Sequence, residues 1–502
     1  MADVSYFFKF IPADVLQNAG FKSRKAMKTA IYARAKCLYD LDRGTDKLVL
    51  IQSVILMGFW YTDAQDHTGA WYWIGIAISL SQTLGLHRSP QFNNRSQQLP
   101  ESQQPLTRRI WWSCLVRDRW ISLAKGRPMR IHHEDCDLPM PTSDDILNNL
   151  GRIPIQTRNE FIPTEAEMLS KMWINLVEIS STLGRILRIH YRVNGPKANA
   201  EDIHSSAEDL RYCRPRESHI SNASELLRLH AFHVELFYEA TVVVLYRPYV
   251  LSGPSSQPFE MDASVQKMAL DQARAAGSNT NAVLERIIEL NMVHLLKPMM
   301  ITTIIPAMQI HLFDCKSAEP LRRGLGTNKL NLCMLVLSQL RDTYWSASVT
   351  HRLFARAQTL LDNHSPIVTA QSKKPTSHPR RMRTQPNSTA IDTEQTFRPL
   401  NQQQSPPQYQ TSQSQHSQQL QNTEEATGLI PGNNMLTNEQ LVPAWMENSP
   451  YFTNVDQLLS PGFTLPEDTF QSFYAGYDDG MGVYDQSMPV SAEMPIDLLY
   501  RG

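Results

Sequence analysis

The sequence has no CxxC pair, and its six cysteines, Cys37, Cys114, Cys136, Cys213, Cys315 and Cys333, are scattered through 502 residues. Disulfide frameworks belong mainly to short secreted chains, so reduced thiols in the cytosol or nucleus are expected. Met1 to Phe10 carries Asp3 and Lys9 and lacks the basic start and apolar core of a signal peptide. Long apolar runs are missing too. The most apolar stretch, Pro298 to Phe313, is too short to span a bilayer and contains Pro306 and Gln309; it reads as a buried, proline-kinked helix. Charge of one sign is not in excess: 48 Lys and Arg face 49 Asp and Glu, for a net charge of −1. No global field therefore draws the chain onto nucleic acid or a membrane, and any charged function is local.

Catalytic signatures are equally scarce. GxSxG, GxGxxG, GxxxxGK[ST] and HExxH do not occur, which leaves hydrolase, dinucleotide, P-loop and zincin chemistry without support. Asp144-Asp145 is read as part of a loop beside Pro141, with no third acid at a metal-binding spacing. No catalytic residue is assigned, and the chain is expected not to be an enzyme. The cluster His132, His133, Glu134, Asp135, Cys136, Asp137 carries plausible metal donors. Adjacent residues rarely converge on one ion, so it is read as a structural exit loop and no metal ligand is assigned.

Helical periodicity runs from roughly Phe21 to Leu361, whereas alternating apolar and polar runs are few, and no NG or DG turn lies between such runs. The expected fold is all-α: a large multi-helix domain followed by a disordered C-terminal tail. Within Ala70–Leu86, Trp73, Ala77, Leu80 and Leu84 form one stripe and Ile74 and Ile78 a second, which places this helix inside a layer. Gly75 and Ser79 would admit a neighbouring helix, and Gly85 should supply a left-handed cap. Leu106–Lys125 is a second helix, with Trp111, Trp112 and Leu115 on adjoining faces, ended by Gly126-Arg127-Pro128. Arg117, Asp118 and Arg119 inside it are read as an ion-pair network bracing the helix against Gly126–Pro139; the alternative is a polar group at the mouth of a ligand pocket. Further helices are expected at Met27–Leu41, Lys47–Gly58, Pro163–Val193, Ser224–Tyr246, Ala263–Ala275, Ala282–Ile305 and Asn331–Leu361.

After about His364 the composition changes to Gln, Ser, Pro, Thr and Asn. Lys373, Lys374, Arg380, Arg381 and Arg383 form a basic patch suited to nuclear targeting or to a phosphate backbone. From residue 439 onward, Glu439, Glu447, Asp456, Glu467, Asp468, Asp478, Asp479, Asp485, Glu493 and Asp497 face only Arg501. Trp445, Tyr451, Phe452, Phe463, Phe470, Phe473, Tyr474, Tyr477 and Tyr484 are interleaved with them. Carboxylates that keep aromatics solvated and available to a partner's groove are the composition of an activation segment; a solubilising tail is the plainer reading. The expected divisions are an N-terminal remnant 1–20, a helical domain 21–363, a basic and then Gln/Ser/Pro-rich linker 364–438, and an acidic aromatic tail 439–502.

Four blocks carry a resemblance: Ala70–Arg88; Arg108–Asp118, RRIWWSCLVRD, continuing to Gly126-Arg127-Pro128; Ile131 through Glu134-Asp135-Cys136-Asp137-Leu138-Pro139; and Leu245-Tyr246-Arg247-Pro248-Tyr249. Their order resembles the fungal-specific transcription factor domain, the regulatory middle region of zinc-cluster transcription factors, and the first three are similar to the cutinase transcription factor beta group. The motif residues are Trp73, Arg108, Arg109, Trp111, Trp112, Arg117, Asp118, Gly126, Arg127, Pro128, Asp135, Asp137 and Pro139, and structural roles are expected for them. The resemblance implies nuclear location, a small effector or repressor partner, dimerisation with itself or a zinc-cluster relative, and coactivators or transcription machinery on the tail. It also implies a preceding Zn₂Cys₆ cluster that places a helix in the major groove. No such cysteine pattern occurs, and Met1 to Gly20 leaves no room for one. No cofactor is therefore expected in this chain, zinc belonging only to the missing cluster, and no DNA-contacting residue is identifiable. Either a 5′ portion of the coding sequence is lost, or the protein reaches DNA through a partner. The competing expectations are an all-helical small-molecule-binding protein or metal-dependent enzyme unrelated to transcription, and an adaptor that dimerises with a full-length relative.

Overall fold

The structure, a computed structural model, describes residues 13–22, 24–41, 46–59, 69–89, 100–151, 153–194, 197–215, 223–251, 262–341, 343–364 and 454–463. One compact unit comprises residues 1–365 with 443–502; a second, 366–442, lies outside the described residues. Among the described residues the elements are helices and single 3₁₀ turns, with no strand. In chain order the helices are α1 (Ala13–Asn18), α2 (Arg24–Asp40), α3 (Lys47–Met57), α4 (Ala70–Thr83), α5 (Gln104–Lys125), α6 (Ser143–Leu150), α7 (Ile155–Phe161), α8 (Ala166–His190), α9 (Ala200–Tyr212), α10 (Glu225–Val250), α11 (Ala263–Glu289), α12 (Pro298–Cys315), α13 (Pro320–Leu340) and α14 (Trp345–His364). No helix among the described residues is long and apolar enough to cross a membrane.

Local chemistry sets many of the ends. Asp46 accepts from the Leu48 N–H and opens α3. Asn199 and Asp202 exchange side-chain and main-chain bonds in a capping box at α9. Pro298 and Pro320 occupy the first turns of α12 and α13, where a missing N–H costs nothing. Gly85, at φ 72°, and Gly126, at φ 60°, take the left-handed conformation that releases the chain from α4 and α5.

Packing is sequential in two groups. α3 lies on α4, α4 on α5, and α5 on α8. α10 is the hub, touching α8, α9, α11 and α12, while α13 and α14 close over α12. One continuous apolar cluster runs through both groups, with Trp73, Trp111, Trp120, Phe354 and Ile51 among the largest side chains wholly inside it.

Four local expectations are corrected. The break expected between Ala275 and Ala282 does not exist, because α11 runs through Gly277 and Asn281. A Cβ at Gly277 would come 3.1 Å from His311 Cε1, so this run of small residues is a close-approach face. The helix expected to continue to Ile305 is instead interrupted after Glu289, with Asn291 at φ 54°, before α12 begins at Pro298. Asn331–Leu361 is two helices, parted near 341–344, where the Tyr344 hydroxyl donates to the Leu296 carbonyl. Asp145 lies not in a loop but in the first turn of α6, where carboxylates suit the helix dipole.

Candidate functional site

The motif residues converge on α5 and the strap Gly126–Pro139 that follows it. α5 is buried along most of its length, Arg117, Asp118 and Arg119 included. Asp118 is the knot. Its carboxylate accepts from Arg119 Nη1 at 2.7 Å, from the Arg130 amide at 3.1 Å and from the Ile131 amide at 3.2 Å. Burial pushes the Asp118 carboxyl above its ordinary range, while Arg119 and the two amides pull it back. The Arg119 guanidinium is depressed by the same burial and supported by Asp118. Three consecutive charges therefore part ways. Asp118 and Arg119 lace the strap, whereas Arg117 turns to the opposite side, donating to the Gly58 carbonyl at 2.6 Å and standing 3.7 Å from the Phe59 ring centroid.

Two glycines make room for guanidinium groups. A Cβ at Gly75 would lie 2.8 Å from Arg130 Cζ. The close approach on α4 is thus made by an arginine side chain, not by the neighbouring helix the sequence suggested. Arg130 Nη1 donates to the Trp71 carbonyl at 2.9 Å, and its Cζ sits 3.2 Å from the Trp71 ring centroid, with Arg127 4.7 Å from the same ring. A Cβ at Gly184 on α8 would overlap Arg119 Nε and lie 2.9 Å from its Cδ. Gly184→Ala gains about 1 kcal/mol of helix propensity, yet overpacking against a held side chain costs about 1–3 kcal/mol. A net loss of stability in urea unfolding is expected, and a gain would show that Arg119 can swing away freely.

The strap is tied at further points. Trp112 Nε1 donates to the Pro139 carbonyl at 2.9 Å, and the Ser122 hydroxyl to the Pro128 carbonyl at 3.3 Å. Asp137 accepts from Arg88 Nε and Nη2, at 3.1 and 3.2 Å, and from the Ser89 amide at 2.6 Å. These bonds hold its carboxyl below the usual range. Arg108 reaches Asp145 at 2.7 Å, and Asp145 also accepts from the Thr142 amide, tying α5 to the start of α6. Arg109 is half-buried and bonds only weakly to the Pro105 carbonyl, at 3.4 Å. Trp73 donates to the Tyr32 hydroxyl at 3.0 Å and stacks edge-on with Tyr39, ring centroids 5.2 Å apart. Trp111 is wholly buried beside His87, centroids 5.7 Å apart.

The donors at 132–137 diverge. Glu134 pairs with Arg188 on α8, Asp137 with Arg88, Cys136 Sγ donates to the His132 carbonyl, and Asp135 stays exposed in the 3₁₀ turn His133–Asp135. Among the described residues no group of three His, Cys, Asp or Glu is placed to hold a metal ion. Burial pushes the Cys136 thiol up to about 11 and the Cys114 and Cys333 thiols up to about 12, far from a reactive thiolate. Lys373, Lys374, Arg380, Arg381 and Arg383 lie outside the described residues.

Trp71, Arg130 and Gly184, to which sequence reading gave no role of their own, complete the arrangement, together with a polar chain in the second group that joins Arg247 of the fourth block to Tyr191 and Gln309. There Tyr191 donates to the Val244 carbonyl at 2.6 Å, Arg247 donates to Tyr191 at 3.1 Å, and Arg247 donates to Gln309 at 2.8 Å. A lone Gln in an apolar helix was the only signal available for Gln309. The tail also differs from its compositional reading at two positions. Asp456 is paired with Lys316 at 2.5 Å, and Phe463 packs against the apolar cluster.

Residues 9–226 match the family described as the fungal specific transcription factor domain. The chain is 28% identical over 378 residues to the cutinase transcription factor 1 beta of Fusarium vanettenii, covering 67% of this chain and 42% of that protein. It is 26% identical over 333 residues to cutinase transcription factor 1 alpha of the same organism, covering 64% of this chain and 34% of that one. Over 127 residues it is 35% identical to the acetamidase regulatory protein of Emericella nidulans, 24% of this chain and 15% of that protein. The chain thus spans less than half the length of these curated relatives. No solved structure matches.

Proposed function

We propose that this chain, which carries a fungal specific transcription factor domain over residues 9–226, is the regulatory body and activation tail of a nuclear transcription regulator. The observation that supports this most is the coincidence of that domain with a C-terminal stretch rich in acids and aromatics. Three carboxylates of the body are engaged in bracing: Asp118 holds the strap, Asp145 holds α6, and Asp137 holds Arg88. Each bonds to another part of the fold, Asp118 and Asp145 from buried positions and Asp137 at the surface, which suits a scaffold that presents and restrains other segments, and no catalytic step is assigned to it.

In this reading DNA is reached through a segment beyond this chain or through a dimer with a zinc-cluster partner, and the tail from 439 recruits coactivators or the transcription machinery. The basic patch at Lys373, Lys374, Arg380, Arg381 and Arg383 serves nuclear entry. With the full chain fused to an unrelated DNA-binding domain, reporter output should exceed that of the binding domain alone by at least about tenfold, and removing residues 400–502 should abolish the gain. Equal output with and without those residues would remove the activation claim. Loss of nuclear accumulation when the five basic residues become alanine tests the targeting claim independently.

A further inference from the structure

Residues 454–463 lie in the acidic tail, yet they are folded onto the helical body. Asn454 accepts from the Asp456 amide at 3.0 Å and opens a 3₁₀ turn, Val455–Gln457. The turn packs on α14 and sets Val455, Leu458 and Leu459 on one side. All three are buried, Leu458 completely, in the same apolar cluster as the helices. Asp456 is the only charged residue in this stretch. Val-x-x-Leu-Leu inside an acidic tail is an apolar anchor that bulk composition hides.

The body reads the segment's main chain with Gln309, itself completely buried on α12. Its side-chain nitrogen donates to the Leu458 carbonyl at 2.6 Å and, more weakly, to the Ser460 carbonyl at 3.4 Å. The amide's orientation is dictated, since a guanidinium only donates and a carbonyl only accepts. The Gln309 oxygen must therefore face Arg247, and its nitrogen must face the segment. Arg247 belongs to the block Leu245-Tyr246-Arg247-Pro248-Tyr249, which the proposed function leaves without a role, and it is held by Tyr191. At the exposed edge Lys316 pairs with Asp456.

We propose that this surface of α12 and α14 is a peptide-recognition site whose occupant is the chain's own segment Asn454–Phe463, held reversibly, and that seating it keeps the acidic tail against the body. The second half rests on the reading of the tail as an activation segment. Reversibility follows from the balance of terms. Four apolar side chains, Val455, Leu458, Leu459 and the partly buried Phe463, with one amide and one exposed ion pair, act against the entropy of ordering ten residues, and neither side dominates.

Hydrogen exchange on the full chain, read by mass spectrometry, tests the docking. Peptides covering 454–463 should exchange at least tenfold more slowly than an unstructured chain. The protection should vanish in Leu458→Asp and in Gln309→Glu while α12 stays protected. Gln309→Glu is the selective variant, because it keeps the bond from Arg247 but turns an acceptor toward two carbonyls. Free exchange of 454–463 in the unmodified chain, or protection that survives both substitutions, overturns the site. Protection that disappears on tenfold dilution overturns the occupant in favour of a second copy's segment. In the fusion to an unrelated DNA-binding domain, both variants should raise reporter output at least threefold; unchanged output with protection lost overturns the restraint on the tail. Should residues 400–502 fail to activate in any context, the activation reading falls, and the docking stands or falls on exchange alone.

Discussion

Asp118→Ala is expected to destabilise the body by about 3–5 kcal/mol, the usual consequence of removing one member of a buried ion pair. The reason is what remains behind. Arg119, 3% exposed, would keep its charge with its carboxylate gone, and the amides of Arg130 and Ile131 would lose their acceptor. Asp118→Asn keeps an oxygen for those amides and should cost markedly less. The double variant Asp118→Leu/Arg119→Met removes both charges and should recover the part of the loss that comes from the stranded guanidinium, while the amides of Arg130 and Ile131 still lack their acceptor. Urea midpoints for the three variants decide it. A single-variant loss under about 1 kcal/mol, the range of an exposed ion pair, would mean that the Asp118 site is open to water.

Acid should destabilise the body well above the range in which ordinary carboxylates titrate. His233 and His311 are buried neutral bases. Burial holds His233 well below its ordinary 6.5 and His311 at about 3, with Lys297 and Lys329 respectively adding to the depression. The folded chain therefore takes no proton on these rings as pH falls through 6.5, whereas the unfolded chain does. Stability contributed by the neutral rings is fully present above 6.5 and is lost below it, at about 1.4 kcal/mol per pH unit for each histidine. His190 and His230, depressed to about 4 by burial, act in the same direction. Glu239 opposes them. Burial raises it to about 7, so its contribution is present below the unfolded value of 4.5 and is lost as pH rises toward 7, which offsets roughly one histidine within that window. The net expectation is a steep loss between pH 6.5 and 5, seen as a falling urea midpoint. His311→Gln should shallow the slope by one proton's worth. A flat profile from pH 7 to 5 would show that these rings reach water in the folded state.

Much of the first helical group was legible because its signals are local. The stripes of Trp73 and Ile74, the glycine caps at 85 and 126 and the tryptophans of α5 depend on spacing within one helix, and spacing is visible in a linear chain. The second group was less legible. At Gly277–Asn281 the small and polar residues have poor helix propensity, and the helix is supported there by the approach of His311, by the bond that Asn281 Oδ1 accepts from His311 Nε2 and by the bond that Asn281 Nδ2 donates to the Lys329 carbonyl. α9 escaped notice because its buried residues, Ile203, Ser206 and Leu210, make a thin and partly polar stripe. Gly75 announced close approach, but spacing could not say that a guanidinium would make it, and Gly184 gave no such signal.

The amino-acid sequence alone determined that this protein is helical, where its strongest helices stop, that its thiols are not paired in a framework, and which family its body resembles. Each of these rests on interactions between residues near in the chain or on the kinds of residue present. Tertiary structure decided the rest: that Asp118 holds Arg130 and Ile131 while Arg117 faces away, that Arg130 lies across Trp71, and that Leu458 is seated beneath Gln309. Those pairings join residues remote in sequence. Their energy comes from shared burial, which removes competing water and makes each buried charge or amide depend on one partner that only the folded chain supplies.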